Sequence, residues 1–107
     1  MAIEHFDREE IRAAAESALL RTFAPLGVFA VRSMPQVGNS WLGVWLQTTG
    51  DEERDRLLSN PRTVPWIREL LVASGYPVVE ASMTAVTIQS QETVDRSYDG
   101  SWFYAMR

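Results

Sequence analysis

Six residues near the end of the chain, Asp95-Arg-Ser-Tyr-Asp-Gly100, set side-chain oxygens at the first, third and fifth positions and a glycine at the sixth. That is the order in which a calcium loop begins, and its chemistry would be oxygen coordination of a hard cation. The twelfth position of such a loop supplies a bidentate carboxylate, and here it is Met106. The residues after the glycine read as strand where a calcium-binding hand has helix. The stretch is therefore expected to be a β-turn, for which Asp-Gly between two β-rich runs is a strong signal, and no metal ligand is assigned.

Four acids, Glu80, Glu92, Asp95 and Asp99, are placed to meet near the end of a sheet, where a pair with separated pKa values would do general acid–base work. Nothing in their spacing requires it. His5, the one histidine, has no second histidine or cysteine beside it to share a metal or a proton. Ser33, Ser40, Ser90 and Ser101 lack a Gly-x-Ser-x-Gly setting, and Gly38 and Gly43 form no phosphate-cradling loop. No catalytic residue and no cofactor is assigned.

Composition narrows the field further. The formal net charge is -4, which argues against a domain that binds by neutralising phosphates, so nucleic acid is not the expected partner. All ten basic residues are arginine, the cation suited to planar, bidentate and stacking contacts. With no cysteine, disulfides, thiolate metal sites and a thiol nucleophile are excluded. The acidic start of the chain is unlike a signal peptide, and no apolar run reaches the roughly 18 to 20 residues of a membrane span. The reading is a cytoplasmic protein without a membrane partner.

At 107 residues and 46% hydrophobic, the chain is expected to be one domain over residues 1–107. From Asp7 to Phe23 apolar residues recur at three- and four-residue steps, with Asp7 and Glu10 as a capping box and Pro25 and Gly27 as the stop. Val28 to Ser33 and Trp41 to Thr48 alternate with period two on either side of a loop and predict a hairpin. Asp51 to about Ser59 reads as a short helix, Asn60-Pro61 as a corner and Val64 to Ser74 as a longer helix stopped by Gly75. Thr84 to Gln89 and Ser101 to Met106 then predict a second hairpin, while Val78 to Met83 is left open. The order α-β-β-α-β-β implies an α+β fold with a four-stranded antiparallel sheet and helices on one face.

Alternation divides that sheet into two faces. Phe29, Val31, Leu42, Val44, Leu46, Val86, Ile88 and Phe103 form an aliphatic-rich set to meet the helices; Arg32, Trp41, Trp45, Thr87, Trp102 and Tyr104 form the other. Arg32, Trp41, Trp45, Trp102 and Tyr104 are thus the expected binding residues, because an aromatic patch on a sheet marks an interface or groove. The expected function is a non-catalytic binding or adaptor module, its partner a second copy of the chain or another protein. The alternative is a small enzyme or small-ligand-binding protein using the acids near the last turn. A third reading has the Arg-plus-aromatic face stack single-stranded bases.

Overall fold

The structure, a computed structural model, describes residues 8–35 and 42–106. The first helix, α1, spans Arg8–Phe23. Ala15, Leu19 and Phe23, each four residues after the last, are buried in one stripe, with Ile11 packed against the same core. A 3-10 turn at Ala24–Leu26 ends on Gly27, whose φ of 103° is open to glycine and strained for other residues. Asp7 of the expected capping box, His5, residues 36–40 of the expected loop and Trp41 of the expected strand lie outside the described residues.

The strands are β1, Val28–Pro35, β2, Leu42–Thr48, and β3, Ala85–Ser90. They form a three-stranded sheet in the order β1-β2-β3, with β1 antiparallel and β3 parallel to β2. Between β2 and β3 the chain runs through α2, Asp51–Ser59, α3, Thr63–Ser74, and α4, Val78–Ser82. That long helical crossover returns the chain to the end where β2 began, which is what a parallel neighbour requires. After β3 come α5, Gln91–Tyr98, and a single turn α6, Trp102–Ala105.

Val44, Leu46 and Ile88 face the main core, where they meet Leu19, Phe23, Ile67 and Leu71, all essentially inaccessible. β2 is the central strand and is covered on both faces; all its residues are buried except Trp45, which is partly buried. The outer edge of β1 is blunted by α1. The Glu16 carboxylate accepts from the Ser33 amide (2.8 Å) and hydroxyl (2.6 Å), and Arg12 donates to the Ser33 carbonyl (3.4 Å).

The sheet corrects the sequence-based expectation of four antiparallel strands with helices on one face: among the described residues it has three strands, it is mixed, and six α-helices accompany it. Ser101–Met106 is not a strand. Ser101 caps a helical turn by accepting from the Tyr104 amide, and this local bond outweighs the weak β-preference of Trp-Phe-Tyr. The segment expected to run through the Asp-Gly turn is helical too: Ser90 caps α5 by accepting from the Thr93 amide, and Asp99 (φ 52°) and Gly100 (φ 79°) end it in left-handed conformations. The open stretch at Val78 is α4.

Candidate functional site

Two clusters of polar and aromatic side chains stand out, and α5 joins them. The first lies where the parallel strands β2 and β3 end and α2 and α5 begin. Asp51 accepts from the hydroxyls of Ser90 and Thr93, the latter at 2.8 Å, and from Arg96 at 3.0 Å. The Ser90 and Thr93 hydroxyl bonds, then the Arg96 guanidinium, hold its carboxyl well below the ordinary 3.8, at about 2. Arg54 donates to Gln89 and Thr93 (both 2.8 Å), and the Glu92 carboxylate accepts from the Asp51 amide (2.7 Å). Ser90 is fully buried and both its hydrogen-bonding roles are taken, so the cluster fastens α5 to α2 and presents no nucleophile.

The second cluster lies on the sheet face opposite the main core. Here α6 folds back: Trp102 packs edge-on against Phe29 with ring centroids 6.3 Å apart, its indole N–H donates to Gln91 (2.7 Å), and the Gln47 amide reaches the Met106 sulfur at 3.7 Å. Gln47 is almost fully buried as a result. Beside this contact lies a recess of about 410 Å³ lined by Arg32, Met34, Trp102, Phe103 and Met106. Phe103 is 71% exposed, and Tyr104, in edge contact with it at 5.3 Å, is 57% exposed.

Of the residues that sequence singled out, Arg32 and Trp102 line the recess. Trp45, cross-strand partner of Arg32, lies beside them in the sheet, and Tyr104 is on the same turn as Trp102. Trp41 lies outside the described residues. Phe29, Met34, Phe103, Met106 and Gln91 join the site without having been expected there. Strict alternation places Phe29 on the core face, whereas a register shift between Val28 and Ala30 brings it to the other, against Trp102. The shift leaves no sequence signature. Ser101 ahead of the aromatic run was the available sign that α6 would turn as a helix.

The four acids considered for acid–base work are engaged separately. Glu80 takes a bidentate pair from Arg8 (2.6 and 2.8 Å), and this lowers its pKa. Glu92 caps the Asp51 amide, Asp95 accepts from Gln91 (2.8 Å), and Asp99 is the left-handed cap of α5. Among the described residues no three acidic or histidine side chains come together as a metal site. Nor is any described helix long and apolar enough to cross a membrane.

A larger hollow, about 470 Å³, lies at the start of α3 between Pro61, Arg62, Pro65, Trp66 and Glu69. Its aromatic ring, Trp66, packs against Phe23 at 5.0 Å and is 42% exposed, less than the 71% and 57% of Phe103 and Tyr104 at the outer face. The smaller recess is the better candidate on that ground. The chain matches no protein-family model, no curated protein and no solved structure.

Proposed function

We propose that this protein is a non-catalytic binding module whose outer sheet face, part-roofed by α6, docks a segment of another protein. The observation that carries this reading is the exposure of Phe103, which lines a recess together with Met34, Trp102 and Met106, and of its neighbour Tyr104. Covering a ring such as Phe103, now 71% exposed, is worth about 1 to 2 kcal/mol. Two such rings on the turn that carries Trp102 have the make-up of an interface anchor. Beneath them the sheet is rigid, since β2 is hydrogen-bonded on both sides.

Selection of random twelve-residue peptides displayed on phage, performed on the wild-type protein and again on a Phe103→Ser/Tyr104→Ser variant, tests the reading. Both side chains are mainly solvent-exposed, so the variant is expected to keep its fold by circular dichroism. Peptides enriched on the wild type should lose binding to the variant. Enriched peptides that bind both proteins equally, or no enrichment at all, would overturn it. Sedimentation of the protein alone covers the case of a second copy as partner: a dimer that the same variant dissociates is the expected form.

A further inference from the structure

We infer that the outer-face recess selects a carboxylate lying next to a large apolar side chain on the partner segment, with Arg32 holding the carboxylate; this rests on the docking reading above and adds the chemistry of the partner.

The inference starts from the distribution of charge. Arg8, Arg12, Arg54, Arg56 and Arg96 each pair with an acid within 4 Å. Arg32 is exposed, and among the described residues no carboxylate pairs with it. Arg21, Arg62 and Arg68 also have no acid within 4 Å among the described residues, so what sets Arg32 apart is its place. This one lines the recess, where its fellow lining residues are Met34, Trp102, Phe103 and Met106. Among the described residues the site therefore offers one planar cation and an apolar, polarisable bed. A guanidinium matches a carboxylate with two parallel N–H···O bonds. Thioethers and aromatic rings accommodate apolar side chains of differing shape.

The one cation that lines the recess among the described residues suits a single carboxylate. One arginine neutralises one carboxylate, whereas a phosphate backbone is gripped by several cations at once, and the overall charge of -4 repels it. The strand position also matters, because Arg32 springs from β1 opposite Trp45, so its base is fixed by the hairpin ladder. Attraction to this point gives register to a segment whose affinity comes mainly from the rings.

The test uses an array of N-acetylated, C-amidated heptapeptides in a Gly/Ser background. Each carries one Leu, Phe or Trp and one Glu set one to four residues apart, with Gln replacing Glu in matched controls and Lys in a third set. A parallel set places the carboxylate at a free C-terminus, which separates a side-chain acid from a chain end. Wild-type protein should bind Glu or free-carboxylate peptides about tenfold more tightly than their Gln or amidated counterparts. Arg32→Gln should abolish that difference, and Arg32→Glu should reverse the preference toward the Lys set. Peptides that bind with no dependence on the acid, or whose acid preference survives Arg32→Gln, would overturn the inference while leaving docking intact. Binding of a single-stranded oligothymidine that Arg32→Gln removes would overturn it in favour of a polyanion. Absence of binding by any peptide would count against both readings.

Discussion

Ser90→Ala tests whether α5, and with it the site, is fastened in the way the hydrogen bonds indicate. The Ser90 hydroxyl accepts from the Thr93 amide at 3.1 Å as the cap of α5 and donates to Asp51 of α2. Loss of a serine cap costs about 1 kcal/mol, with a range of about 0.5 to 2. Because Ser90 is wholly inaccessible, water cannot replace the lost oxygen without local opening, which places the expected loss in the upper half of that range. For a domain of this size each kcal/mol lowers the melting temperature by roughly 4 to 8 °C. Urea unfolding followed by circular dichroism at pH 7 should show a lower midpoint with an unchanged slope, so that stability and not compactness has changed. A double-mutant cycle with Asp51→Ala separates the two roles of the hydroxyl: coupling between the sites is expected, because the two side chains share a bond. A loss below about 0.5 kcal/mol would refute the cap, whose smallest expected value that is. Zero coupling would refute the link from Ser90 to Asp51.

Three further outcomes follow from the same structure. Gly75→Ala should destabilise by about 1 to 3 kcal/mol in a thermal melt, since φ is +122° and a Cβ there would stand 3.1 Å from Ile11. Acid should weaken the fold through Asp51, whose folded pKa is depressed. Its contribution is fully present above the ordinary 3.8 and is lost as pH falls through about 2, so Asp51→Asn should flatten the stability profile over that interval. Glu80, lowered by its Arg8 pair, follows the same sign. Glu80→Gln should cost about 0.5 to 1 kcal/mol at pH 7 and nothing once the wild-type carboxyl is protonated, as read by urea titrations at two pH values.

The sequence was most legible where side-chain periodicity and chain breakers agree. Ile11, Ala15 and Leu19 marked α1, the corner at Asn60-Pro61 separated α2 from α3, and the alternation from Leu42 to Gln47 sorted the two faces of β2 correctly. What periodicity could not supply was pairing. A helical region between two strands permits either a new hairpin or a crossover, and the latter gave the parallel β2–β3 pair. The buried run Leu42-Gly-Val-Trp-Leu46, covered on both sides, is what a central strand looks like and was the sign of it. Beyond Ser90 local bonds decided the outcome. Two serine caps, Ser90 and Ser101, turned segments rich in Thr, Val, Trp, Phe and Tyr into helix.

Those two caps also changed the site. With a strand at 101–106, Trp102 and Tyr104 would share one face and Phe103 the other. A helical turn instead puts Trp102 against Phe29 and leaves Phe103 and Tyr104 in contact with each other and exposed. The aromatic surface is thus built from a folded-back turn resting on a sheet, and Gln47 beneath it is sealed from water.

The central claim is that a partner segment docks on this face, and the most direct measurement is a 1H–15N NMR titration with a peptide enriched in the phage selection. The account predicts saturable shifts of the Trp102 indole N–H and of the Arg32, Gly43 and Gln47 amides, with α1 and α3 undisturbed. Shifts confined to α3 and α4, or a Trp102 indole signal that stays in place while the peptide saturates, would contradict it.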